Sequence, residues 1–174
     1  MLASGTWFPV AREVGEFTLT DAAGQAFTRQ RLAGAPTLVF FGFTHCPDVC
    51  PTTLAKLAQV RAQAQLPQLR VLFVSVDPAR DTPAVIGQYV HAFDPQFEGV
   101  TGTPAAIATL AARFGVAVQR VELPGGDYTM DHSAVVFLLD AAGHIAAVFT
   151  PPFDTAAMSA DLRAAAPYLG TRGT

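Results

Sequence analysis

The chain has 174 residues, a length that suits one domain with its own core rather than two. Apolar residues make up 51% and charged residues only 14%, which excludes a disordered tail and removes any need for a disulfide scaffold. The net charge of −3 leaves no basic footprint for nucleic acid, and the scattered Gly and Pro exclude collagen-like and repeat architectures.

In chain order, Phe17 to Thr20 alternates and Asp21–Gly24 turns the chain back toward Ala26 and Phe27, predicting a short N-terminal β-hairpin. Thr37 to Phe43 is a continuous apolar, β-favouring run, as expected of a strand buried on both faces. After Pro51, Leu54, Leu57, Val60 and Ala64 recur at helical spacing, and Arg70 to Val76 reads as a second buried strand. Residues 37–76 therefore predict a βαβ unit, whose ligands collect at the carboxyl ends of the strands, near Cys46 and Asp77. Thr82-Pro83 and Thr103-Pro104 each place a capping residue before a proline that opens a helix. The second of these helices carries Ile107, Leu110, Ala111 and Phe114 on one face and stops at Gly115. Ser133 to Leu139 predicts a third core strand, Asp140–Gly143 a turn, and Ile145 to Phe149 its hairpin partner. Met158, Leu162, Ala165 and Leu169 predict a closing amphipathic helix. This order is that of an α/β, thioredoxin-like fold: a central mixed sheet flanked by helices, with a hairpin added at the N-terminus. No uncharged stretch reaches the ~18 residues of a spanning helix, and no signal peptide is visible.

The two cysteines both lie in one segment, His45-Cys46-Pro47-Asp48-Val49-Cys50-Pro51. So short a loop cannot staple a fold, and close pairs usually serve redox chemistry or a metal. On a helix, side chains four apart have Cβ atoms about 5–6 Å from one another. A disulfide wants about 3.8 Å. Two thiolates at about 2.3 Å from one metal would have sulfurs roughly 4 Å apart, which this spacing meets more easily. Pro47 and Pro51 should keep most of the segment out of regular helix, so both states stay reachable. Cys50 is expected at the start of the helix near Pro51, where the dipole favours its thiolate. Metal binding, redox chemistry or both are thus expected.

Two thiolates leave a metal open, and a third ligand has to come from one of the four histidines. His45, His91 and His144 read as surface or half-buried residues. His132 leads into the third core strand, a position that in thioredoxin-like folds lies against the active cysteines. A Cys, Cys, His set suits Cu(I) and also accepts Cu(II) or zinc. Around these groups, Arg80 and Asp81 are expected to form a local ion pair. Asp77 and Asp131 are candidates to orient a ligand, and Met130 reads as a core residue.

The segments FGFTHCPDVCPTT (41–53), VSVDPARDTP (74–83) and Asp131-His132-Ser133 resemble the three signatures of the Sco/SenC family, and the similarity runs over roughly residues 15–170. The resemblance implies one thioredoxin-like domain over 1–174 that binds copper, as Cu(I) or Cu(II), for assembly of the dinuclear copper centre of cytochrome c oxidase. It implies Cys46, Cys50 and His132 as copper ligands, with Cys46 and Cys50 also forming a redox pair. The implied partners are the copper-bearing oxidase subunit and other copper chaperones or thiol reductants, with the protein itself a monomer. Family members are usually tethered by an N-terminal transmembrane helix and face the periplasm or the mitochondrial intermembrane space. The expected location is therefore the periplasmic face of the inner membrane, although this sequence contains no such helix.

The rival activity is a thiol–disulfide oxidoreductase that reduces the cysteines of the oxidase copper site. Thioredoxin-type enzymes carry two residues between their cysteines, whereas this chain has three. A peroxiredoxin-type peroxidase does not fit: it needs Thr three residues and Pro seven residues before the reactive cysteine. Cys46 has Phe43 and Val39 there, and Cys50 has Pro47 and Phe43.

Overall fold

The computed structural model describes residues 2–170, except for the side chain of Asp131. The central βαβ unit forms as expected: β4 (Thr37–Gly42), α1 (Val49–Ala64) and β5 (Arg70–Ser75), with β4 and β5 parallel. All six residues of β4 are buried. Its side chains alternate between faces: Leu38 and Phe40 join the core beneath α1, while Val39 and Phe41 join the core on the opposite face. A helix follows β5 as α2 (Pro83–His91) and leads to β6 (Glu98–Thr101), which pairs parallel to β5. Helix α3 (Pro104–Phe114) then covers the second face with Ile107, Leu110, Ala111 and Phe114. Both predicted caps are present, the Thr82 hydroxyl accepting from the Val85 amide at 3.3 Å and that of Thr103 from Ala106 at 3.1 Å. Gly115 ends α3 with φ 72°, a conformation costly for residues with a Cβ.

The N-terminal hairpin is β2 (Thr18–Asp21) with β3 (Ala26–Thr28), and β2 joins the main sheet beside β6. At the other end, β9 (Val136–Leu139) runs antiparallel to β4 and is followed by β10 (Ile145–Phe149) and α4 (Thr155–Ala165). The outermost strand is β1 (Gly5–Arg12), and the eight-stranded sheet has the order β1-β10-β9-β4-β5-β6-β2-β3. Two further strands, β7 (Val118–Glu122) and β8 (Tyr128–His132), pair only with each other. Among the described residues no helix is long and apolar enough to cross a membrane.

Two expected boundaries shift, and four strands were not predicted. The third core strand starts at Val136 rather than Ser133, because Tyr128–His132 is taken by the separate hairpin. Helix α1 starts at Val49, so Cys50 and Pro51 lie inside its first turn; proline is tolerated there because first-turn N–H groups have no intrahelical partner. Strands β1, β6, β7 and β8 lacked a recognised signal. Six of the eight positions of β1 and all five of β7 are exposed, so neither has an alternating apolar pattern to read.

Strand β1 is anchored by Asp161 on α4, whose carboxylate accepts from the Ala3 amide, the Ser4 amide and the Ser4 hydroxyl, each at 2.7 Å. Burial alone would raise this carboxyl, but those donors outweigh it and hold it below its ordinary value. Its stabilising contribution is therefore complete above an unfolded-state value of about 3.9 and is lost as pH falls through the lower folded-state value. Asp161→Ala should cost about 1–3 kcal/mol in denaturant unfolding at neutral pH and lose its effect in strong acid. Equal unfolding midpoints for the two proteins at pH 7 would contradict this.

Candidate metal centre

The carboxyl end of β4 delivers the chain into the cysteine segment, and the turn after β5 lies beside it. The Val76 amide donates to the Gly42 carbonyl at 2.8 Å, extending the β4–β5 ladder to the rim of the site. Beyond that point the two segments diverge, and side chains take over. Asp81, fully buried, accepts from the Thr44 amide at 3.0 Å, the Thr44 hydroxyl at 2.5 Å and the Ser75 hydroxyl at 2.7 Å. The Cys46 amide then donates to the Phe43 carbonyl at 3.2 Å, and the chain turns into α1.

The two thiols are unequal. Cys46 is half-buried at the surface, whereas Cys50 has no solvent exposure. The Cys50 amide, in the first turn of α1, points at Cys46 Sγ with an N···S distance of 3.5 Å. The helix terminus thus directs a donor at the outer sulfur. Cys50 Sγ points inward, under the last residue of β4. A Cβ built on Gly42 would lie 2.7 Å from Cys50 Sγ and 2.8 Å from the Phe73 ring, so only glycine leaves room for the sulfur. Burial pushes the Cys50 thiol well up, and the nearby Cys46 and Asp81 add to it, although hydrogen bonding to the Phe43 backbone acts the other way. The expectation that the helix dipole would favour a Cys50 thiolate is therefore overturned, because desolvation exceeds the dipole.

His132 closes the inner side. It ends β8, and its Nε2 lies 3.7 Å from Cys50 Sγ although the residues are 82 apart in sequence. Its Nδ1 is 3.2 Å from the Ser133 carbonyl oxygen. A carbonyl only accepts, so that contact requires Nδ1–H, and in the neutral imidazole the Nε2 lone pair then faces the thiol. The ring is held edge-on by Phe43 and Phe40, with centroids at 5.8 and 6.1 Å. Cys46 and His132 share a groove of about 160 Å³ with Val49, Met130 and Ala134.

The other candidate residues fall as follows. His45 and His91 are exposed and His144 half-buried. Met130 packs against the core, and the Asp131 side chain lies outside the described residues. Arg80 does not pair with Asp81; its Nε donates to Asp77 Oδ2 at 2.5 Å, because Asp81 is committed to Thr44 and Ser75. Burial alone would lower the Arg80 guanidinium, but the Asp77 carboxylate reverses this and raises it. Among the described residues, His45, Asp77 and Asp81 are a group of three whose donor atoms all lie within 4.8 Å of one another. All four oxygens of the two carboxylates are already bonded to Thr44, Ser75, Arg80 and Tyr128, which accounts for that group without an ion. Sequence reasoning passed over two positions that shape the site, Gly42 and Tyr128. The turn Pro124-Gly125-Gly126-Asp127 between two β-favouring runs was the available signal for the hairpin that carries Tyr128 and His132.

The SCO1/SenC family model matches residues 9–167. A SCO2-like protein of Rickettsia felis is 38% identical over 133 residues, covering 74% of this chain and 65% of that protein. The mitochondrial SCO2 homolog of Bos taurus is 39% identical over 139 residues, covering 74% of this chain and 50% of that one. The chain thus spans only 65% and 50% of the length of these relatives. Among solved structures, Bradyrhizobium japonicum ScoI with copper bound is similar at a TM-score of 0.79 and 43% identity, over 86% of this chain and 97% of that one. Arabidopsis thaliana ScoI with copper bound gives 0.85 at 32% identity, over 88% and 98% of the two chains.

The packing at Gly42 has a measurable consequence. Gly42→Ala should destabilise the fold by about 1–3 kcal/mol, as overpacking does, and push the Cys50 sulfur from its slot. In a Cys46→Ser background, alkylation of Cys50 should then be faster than with Gly42 in place. Unchanged stability together with unchanged alkylation would show that the neighbours absorb the added carbon.

Proposed function

The chain belongs to the SCO1/SenC family, and from that membership we propose that it is a copper chaperone. In this reading it holds one copper ion through Cys46, Cys50 and His132 for assembly of the dinuclear copper centre of cytochrome c oxidase. The observation that carries the reading is the 3.7 Å approach of His132 Nε2 to the buried Cys50 sulfur. In the metal-free thiol state this contact suits an S–H donating to the imidazole lone pair. Copper would take the place of that proton, with Cys46 as the outer sulfur. Two soft sulfurs and one imidazole suit Cu(I) and accept Cu(II), and the copper-bound structures of the two ScoI relatives support the same cargo here. Because burial holds Cys50 as a thiol, loading displaces a proton, and apparent affinity rises with pH through the neutral range.

Delivery needs an accessible outer ligand, and half-buried Cys46 supplies it: an acceptor thiolate can approach the copper from the side of Cys46 while Cys50 remains enclosed. The acceptor in this proposal is the copper-bearing oxidase subunit, with other copper chaperones or thiol reductants acting earlier. Action at the periplasmic face of a bacterial inner membrane, as a monomeric domain, completes the proposal. Direct reduction of the oxidase cysteines draws its support from the same half-buried Cys46 sulfur, and the buried, protonated Cys50 makes a slow resolving partner.

Titration of the reduced protein with Cu(I), followed by desalting and metal analysis, should retain one copper per chain. The Cys46→Ser, Cys50→Ser double variant should retain none, and a full equivalent in that variant would contradict the proposal. His132→Ala should weaken Cu(II) more than Cu(I), since two thiolates can hold Cu(I) linearly whereas Cu(II) prefers more ligands with nitrogen among them. Equal losses for both ions would contradict this difference.

A further inference from the structure

The hairpin that carries His132 has little of its own to hold it in place. Strands β7 and β8 make a two-stranded sheet apart from the main one, every residue of β7 is exposed, and an isolated hairpin is marginal in water. At its root, the Ser133 amide donates to the Ala117 carbonyl at 3.1 Å and the Ala117 amide to the Ser133 hydroxyl at 3.2 Å. Along β8, Tyr128, Met130 and His132 alternate onto one face. Each is engaged there: Met130 packs on the core, His132 meets Cys50, and the Tyr128 hydroxyl donates to Asp77 Oδ1 at 2.8 Å.

Asp77 is the fixed end of this contact. Its side chain is 3% exposed, and its second oxygen accepts from Arg80. Arg80 in turn donates from Nη1 to the Tyr128 carbonyl at 3.0 Å and to Asp127 Oδ1 at 3.3 Å, and its guanidinium lies 3.8 Å from the Tyr128 ring centroid. Arg120, from β7, sits over the same ring at 3.8 Å, so the tyrosine is clasped between two cations. The turn that carries Asp77 and Arg80 also carries Asp81, which holds the cysteine segment through Thr44. One turn therefore touches both the strand that ends in His132 and the loop that bears the cysteines.

We propose that Asp77, Arg80 and Tyr128 form a positioning latch that holds β8 against the cysteine loop and so sets His132 opposite Cys50. The proposal rests on the copper reading for what the latch positions, but the latch itself exists in the metal-free protein. Opened, it lets the β7–β8 hairpin swing about its root, and the imidazole leaves the site while both sulfurs stay. None of the three residues is a metal ligand in this account; they act through His132.

Tyr128→Phe removes only the hydroxyl, and Arg80→Gln removes the charge. In the reduced, metal-free full chain, either should speed amide hydrogen exchange across residues 118–132 by about tenfold or more, while β4 and β5 amides keep their rates. Cu(II) affinity should fall with little change for Cu(I), and the loss should vanish when His132 is already alanine, as a double-mutant cycle would reveal. Unchanged exchange in both variants would overturn the latch by showing that the root contacts suffice. Equal losses for both copper ions, or losses that add in full to that of His132→Ala, would also overturn it, because they mark general destabilisation. If His132→Ala alone leaves Cu(II) affinity intact, the copper reading fails, and the exchange rates still decide the latch.

Discussion

A buried carboxylate joins two segments of the site that backbone pairing cannot. Strands β4 and β5 are parallel neighbours, but their ladder ends at the Val76–Gly42 bond, just where the cysteine loop and the Asp77–Asp81 turn begin. Asp81 spans the gap by accepting from Thr44 on one side and Ser75 on the other, with no solvent exposure. Its own amide bonds back to the Asp77 carbonyl at 2.9 Å, which fixes the turn that presents Asp77 to the hairpin. Buried carboxylates persist only when their lone pairs are satisfied, and here all the partners lie on segments that must stay in register around Cys50. Loss of Asp81 would leave both the cysteine loop and the turn without a common reference.

The environment of Cys50 sets two effects against each other. The first turn of a helix favours negative charge by roughly 0.3–1 kcal/mol, up to ~2 in partly buried sites. Full burial can shift a thiol by as much as 3–5 pKa units, roughly 4–7 kcal/mol. Burial wins, and Cys50 stays a thiol facing the His132 lone pair. The helix N–H meanwhile serves Cys46, the sulfur within reach of solvent. Two cysteines four residues apart thereby acquire different environments.

The βαβ frame was legible because burial on both faces leaves an unbroken apolar run such as Thr37–Phe43, and because Thr-Pro pairs announce helices through capping chemistry. The approach of His132 to Cys50 was legible from residue type and motif. The support for His132 was not. Its hairpin has one exposed strand and is held by Tyr128, Arg80 and Asp77, and such long-range polar contacts leave no periodic trace along the chain. Gly42 was invisible for another reason, since the need for glycine arises only when Cys50 and Phe73 converge on it from other elements. The ionisation of Cys50 was misjudged because position along a helix can be read in a sequence, whereas depth of burial follows from the folded whole.

Convergence of both sulfurs and the His132 imidazole on one copper ion can be measured by X-ray absorption at the copper edge of the reduced, copper-loaded protein. Sulfur scatterers from Cys46 and Cys50 together with an imidazole nitrogen are expected in the first shell, with loss of the nitrogen contribution in His132→Ala. A first shell without sulfur, or an imidazole signal that survives His132→Ala, would contradict it.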